Sequence, residues 1–224
     1  MEIADSAEML VSLALQAGDP FSAAAVYAVA AGKDKRKLEE IMFSKRRDAL
    51  ALARWEHTPT SVLEELSNTS DNAVVVRLDK NQSTPTKALS QLYAETNKTG
   101  SNFTVLVAQH RHASQVVLKN IAQFETGDAS LLAVSKNLAA STEVLEILLG
   151  RFQSGTTLEM LQKNISEHPA ASDQILEQLY SKGDAYVKAA VIGHMNCPQH
   201  LLEQAAHEDN VLIQRQLAAD RRLS

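Results

Sequence analysis

Apolar residues in this chain recur in one figure, two adjacent aliphatic positions followed by a third four places after the first. It appears as Val62, Leu63 and Leu66, as Ala88, Leu89 and Leu92, and as Val117, Leu118 and Ile121. It returns as Val144, Leu145 and Leu148, as Ile175, Leu176 and Leu179, and as Leu201, Leu202 and Ala205. On an α-helix this spacing makes a single apolar stripe, so six helices, here called A, are predicted. Ahead of each stripe stand Pro59, Pro85, Ser114, Ser141, Ser172 and Pro198, at steps of 26, 29, 27, 31 and 26 residues. A period in this range marks an array of helical repeats, in which neighbouring units build the core between them.

Punctuation follows the same period. Thr58 and Thr84 stand where an N-cap hydroxyl accepts from the first amides of helix A, with Pro59 and Pro85 in the first turn. Gly100, Gly127, Gly155 and Gly183 fall where a left-handed C-cap would end helix A. A second helix, B, follows each turn and ends on Asn or His. Its copies are Val74, Leu78 and Asn81; Phe103, Val107 and His110; Ser130, Val134 and Asn137; Leu161, Ile165 and His168; Val187, Val191 and His194. Leu52 and Trp55 fill these places in the first unit, and Ile213, Leu217 and Asp220 in the last. The Asn/His position therefore lies in a tight corner between helix B and the next helix A.

The expected fold is all-α: a right-handed superhelix of about six to seven repeats of 26–31 residues over 43–224, closed by an N-terminal helical cap over 1–42. The cap reads as two helices, near Ser6–Gln16 and from Asp19-Pro20 to Ala31, with Gly18 and Gly32 as stops. Hydrophobic residues make up 45% of the 224 and aromatic residues only 4%, which suits packed helices and not a sandwich or barrel. The start, Met1-Glu2-Ile3-Ala4-Asp5, has no basic leader region, and the longest mostly apolar run, Phe21 to Ala31, falls short of the about 20 residues that span a bilayer. The sequence thus reads as one continuous cytoplasmic array without a membrane segment.

Helix B ending in Asn or His, followed by Thr-Pro and an aliphatic pair, resembles the variant leucine-rich repeat family. The clearest copy runs from Ile165 through His168-Pro169 to Leu176, continued by Asp184-Ala185-Tyr186-Val187 and Pro198. The likeness covers about residues 43–224, and six copies in register make it specific although each is weak alone. Units here are longer than the family's usual repeat, and Thr-Pro becomes Ala-Ser in the middle three. The resemblance implies a right-handed superhelix of short helices, with room for 3₁₀ turns; HEAT-like arrays are the neighbouring architecture. Some relatives carry a cysteine-ligated iron-sulfur cluster, which a chain with the single cysteine Cys197 cannot reproduce.

Candidate chemistry reduces to repeat positions. His110, His168 and His194 share a place with Asn81 and Asn137, so that place asks for a short polar donor and acceptor. The expected role is a ladder that hydrogen-bonds free backbone groups at each corner, with no metal or cofactor. His110 and His112 form His-x-His but have no third ligand nearby in sequence. Cys197 aligns with Thr58, Thr84, Ala113, Ala140 and Ala171, all small, which explains it by size before nucleophilicity. No catalytic motif is present, and a non-catalytic protein is expected. Trp55, the only tryptophan, is expected to seal the junction with residues 1–42 or to meet a partner.

Charge supplies the remaining clue. From Lys33 to Arg47 the chain holds Lys33, Lys35, Arg36, Lys37, Lys45, Arg46 and Arg47 against Asp34, Glu39 and Glu40, whereas the whole chain carries −5. These residues and Trp55 are the candidate partner-binding positions, and their charge points to a protein partner with an acidic surface. The second reading is nucleic-acid binding, as in HEAT-like alkylpurine glycosylases, with the segment 33–47 on phosphate. A sequence pI of 5.8 and few aromatics for base stacking weigh against it.

Overall fold

The computed structural model describes residues 3–29, 35–99, 103–151 and 155–219. Among these the chain forms sixteen α-helices and no strand, in two compact units, Met1–Ser114 and Gln115–Ser224.

The first unit holds α1 (Ile3–Gln16), α2 (Pro20–Val29), α3 (Lys35–Met42), α4 (Arg46–Arg54), α5 (Thr60–Leu66), α6 (Asn72–Lys80), α7 (Thr86–Thr99) and α8 (Thr104–Gln109). B-type helices lie against one another in the order α4, α6, α8, and the A-type α5 lies against α7. At the N-terminal end, α2 packs on α3, α4 and α5. Gly18 ends α1 with φ 77°, a conformation open to glycine and strained for other residues. Asp19 then accepts at Oδ1 from the amides of Phe21 and Ser22, both at 3.1 Å, and so starts α2. Gly32 and Ala31, the expected end of that helix, lie outside the described residues.

The second unit holds α9 (Gln115–Phe124), α10 (Asp128–Lys136), α11 (Thr142–Arg151), α12 (Thr156–Ser166), α13 (Asp173–Lys182), α14 (Ala185–Gly193), α15 (Gln199–Ala206) and α16 (Val211–Ala219). Its B-type helices follow as α10, α12, α14, α16, each against the next, and α9 lies against α11. In the second unit each helix touches its successor in sequence, and in both units successive B-type helices touch one another. All eighteen residues of the six A stripes are buried, none more than 4% exposed. Burying one such aliphatic side chain contributes about 1.5–3 kcal/mol relative to leaving it in water, so the stripes hold these layers together.

Two local expectations are corrected. Thr58 and Thr84 are not N-caps: Pro59 takes that position with φ −54° and ψ 139°, and Pro198 does likewise. The buried threonine hydroxyls point backward and donate to Leu52 O at 2.7 Å and Leu78 O at 2.5 Å. Those carbonyls end the preceding B helix, where each accepts one cap amide, from Trp55 or Asn81, and the hydroxyl adds a second donor. The glycines are not left-handed C-caps either. Gly127 and Gly155 are N-caps of α10 and α12, at φ −80° and 103°. Gly183 follows α13 with φ −76°, and a Cβ there would stand 2.5 Å from Val187 Cγ1 and 2.6 Å from Leu179 O. Close approach of α14 selects that glycine. Gly100 lies outside the described residues.

Candidate partner-binding face

The B helices α4, α6, α8, α10 and α14 end in a residue with extended backbone, and the side chains of Asn81, His110, His168 and His194 turn back to the corner before them. Asn81 donates from Nδ2 to Ala53 O at 3.0 Å and Trp55 O at 2.9 Å, and its Oδ1 accepts from the Ser83 amide. His110 Nε2 lies 3.1 Å from Asn81 O, and its Nδ1 accepts from the His112 amide. In the second unit His168 Nε2 lies 3.0 Å from Asn137 O and His194 Nε2 3.0 Å from His168 O. The amides of Ala139, Ala170 and Asn196 donate to Asn137 Oδ1, His168 Nδ1 and His194 Nδ1.

A carbonyl oxygen only accepts, so each of these imidazoles carries its proton on Nε2 and offers a lone pair at Nδ1. Asn matches both roles with its amide nitrogen and oxygen. That equivalence explains the alternation along the chain, and it leaves neither ring nitrogen a lone pair for a metal. Burial holds His110 below the usual histidine range, against the opposing effect of its bond to Asn81. His112 Nδ1 reaches Thr84 O at 3.0 Å, so three of the four ring nitrogens of the His-x-His pair are spent on backbone. Among the described residues no group of three His, Cys, Asp or Glu could hold a metal ion. Cys197 is buried like the Thr and Ala residues at its repeat position.

The basic segment divides. Lys33 lies outside the described residues; Lys35, Arg36 and Lys37 form the first turn of α3, but their side chains lie outside the description. Lys45 is exposed at the N-cap of α4. Arg46 makes a two-pronged ion pair with Asp71, the N-cap of α6, and holds that carboxyl at about 2. Arg47 contacts Asp48 at 3.2 Å. Asp48 is buried and its Oδ2 has no hydrogen-bond partner. Trp55 sits past the other end of α4, about 13 Å along the helix from Arg46 at 1.5 Å per residue. Arg46 and Trp55 thus stand at opposite ends of one helix.

Around Trp55 the chain assembles a surface that the sequence pattern did not single out. The Phe21 ring, from α2, meets the Trp55 ring with centroids 4.5 Å apart, and His57 meets it edge-on at 5.7 Å. A groove of about 600 Å³ is lined by Phe21, Ala51, Arg54, Trp55, Glu56 and His57. A second, of about 490 Å³, shares Arg54 and Glu56 and continues over Val76, Arg77, Lys80 and Asn81. In the second unit a groove of about 530 Å³ is lined by Lys163, Glu167, Tyr186, Ala189, Ala190, Gly193 and Gln216. Counted back from the corner residues, the linings recur at one register. Ala51, Arg77 and Ala190 stand four places before Trp55, Asn81 and His194; Arg54, Lys80, Glu167 and Gly193 stand one place before their corners. Positions three apart share a helix face, so B helices present the same outward stripe in each unit.

Beside the second groove, Asp79 has a buried Oδ1 with no hydrogen-bond partner, and burial raises its carboxyl to about 6 against a weaker pull from Lys80. No described helix is long and apolar enough to cross a membrane. Comparison of the chain with protein families, with curated proteins and with solved structures finds no match.

Proposed function

We propose that this protein is a non-catalytic adaptor that binds other proteins along the outward stripe of its B helices. In this reading the chain is a variant leucine-rich or HEAT-like repeat protein, its helices forming a right-handed superhelix of about six to seven repeats. The observation that carries it is the shared register of the grooves, whose lining comes from places one and four before the corner in both units. A stacked array fixes its backbone through buried stripes and corner bonds, and leaves such places free to vary for recognition. Regular spacing of exposed side chains over successive helices suits an extended segment or a helix of a partner.

Photo-crosslinking from single positions tests this. A crosslinking residue at Ala51 or Ala190, on the B stripe, should yield discrete protein adducts, while one at the exposed Glu146 on α11 should not. Adducts that nuclease removes would replace the reading with nucleic-acid binding. Equal yields from all three positions would end it.

A further inference from the structure

We infer that the two adjoining grooves between Phe21 and Lys80 receive an acidic peptide segment bearing one aromatic or large aliphatic side chain. This rests on the adaptor reading and names the occupant of its N-terminal surface. The anchor site is the Phe21–Trp55 pair: Phe21 is 37% exposed and Trp55 is half-buried, so an incoming apolar side chain meets two partly exposed rings. Paired aromatic side chains in a partly desolvated hollow are the surfaces that carry most binding energy at interfaces.

Charge selects the rest of the segment. Arg54 and Lys80 are exposed and enter none of the ion pairs among the described residues, and Arg77 uses one nitrogen on Ala73 O. Three cations thus line a strip whose one exposed carboxylate is Glu56, and the neighbouring Asp79 is half-buried with its carboxyl raised to about 6. Adjacent helices lie about 10 Å apart, and an extended chain advances about 3.4 Å per residue. About three to six residues therefore reach from the Trp55 hollow on α4 to Lys80 on α6. Glu56, common to both grooves, opposes a uniform phosphate backbone, whereas a peptide can place a neutral residue over it and carboxylates on either side. The groove joins an apolar seat to a basic strip, and its complement is a short segment with a bulky residue next to Asp and Glu.

The lone tryptophan makes the test direct, because intrinsic emission reports this groove alone. Full-length protein is titrated at low salt with a fluorescein-labelled Asp/Glu peptide containing one Phe and no Trp, with the same peptide carrying Ser for Phe, and with oligothymidylate. Anisotropy is read for binding, and the emission of Trp55 is read in parallel with the unlabelled peptides. The Phe peptide should bind saturably and shift Trp55 emission, and the Ser peptide should bind more weakly. Arg77→Glu with Lys80→Glu should weaken the Phe peptide about tenfold, the size expected when exposed attractions become repulsions, without changing the far-UV circular dichroism. Lys80→Glu alone, which breaks no internal bond, should give a smaller loss in the same direction. Peptide binding that leaves Trp55 emission unmoved overturns the groove assignment and leaves the adaptor reading intact. Binding equal for the Phe and Ser peptides overturns the anchor, and no binding of either overturns the occupant. Oligothymidylate that quenches Trp55 where the peptides do not overturns both this inference and the adaptor reading.

Discussion

His194 donates from Nε2 to the main-chain oxygen of His168 at 3.0 Å, and His168 in turn donates to Asn137 O at the same distance. Successive corners are tied by side chains that span 26 and 31 residues of sequence. The same rings accept an amide at Nδ1 two residues on, so each closes its own turn while holding the previous one.

Truncating the His168 rung takes one of two donors from the buried Asn137 O, which keeps the Ala140 amide, and leaves the part-buried Ala170 amide without its acceptor. His168→Ala should therefore lower stability by about 1–3 kcal/mol. His168→Asn, which supplies a donor and an acceptor as Asn81 does, should cost less, and thermal melting of the two variants gives the comparison. If both melt with the parent, the corner bonds are incidental to stability.

Acid should act on the first unit through His110. Its folded-state pKa is depressed, so below the ordinary histidine value the unfolded chain binds more protons than the native one. The contribution is complete above about 6.5 and is lost as pH falls from there through the folded value. Denaturant midpoints between pH 7 and 5 should fall in the parent and fall less in His110→Asn. A steeper fall in the variant would reverse the sign of this assignment.

Asp79 carries the opposite dependence. Its raised pKa means that folding favours the protonated acid, a contribution complete below the unfolded value and lost as pH rises through about 6. The ionised carboxylate is then a net cost at neutral pH. Repeat neighbours place Ala53 and Ala108 here, both fully buried. Asp79→Ala should stabilise by about 1–2 kcal/mol at pH 7 and change little at pH 4. Destabilisation at pH 7 would mean that the carboxylate has a partner in solution.

Much of the scaffold was legible because core positions obey the helix period. The stripe that begins at Val62 and Leu63 names its own buried face, and the sixteen helices put it there. The direction of a hydroxyl was not legible: Thr58 before Pro59 looks like a cap, yet the carbonyl of Leu52 at the end of the preceding helix wins its proton. Nor was the reason for Gly183, since the contact with Val187 exists only once α14 packs. The groove was hidden for another reason. Its residues occupy solvent-facing places where core packing imposes no pattern, and Phe21 reaches Trp55 only through the fold of α2 on α4. Arg46 and Trp55, near in sequence, stand at opposite ends of one helix.

Cys197 offers a swap between repeats. It occupies the place of Thr58 and Thr84, whose hydroxyls donate to the carbonyl six residues earlier, where the corresponding atom is Val191 O. Val191 O already accepts from the His194 amide at 3.1 Å, as Leu78 O accepts from Asn81, so the local geometry matches. A thiol is a weak donor, and here it lies 3.7 Å from Pro198 O. Cys197→Thr should accordingly put a stronger donor at this corner and raise stability by about 0.5–1.5 kcal/mol, with partner binding unchanged. Cys197→Val, close to Thr in shape but without the hydroxyl, should not show the gain. Loss of binding in Cys197→Thr at undiminished stability would instead give the thiol a role of its own and remove it from the set of size-selected corner residues.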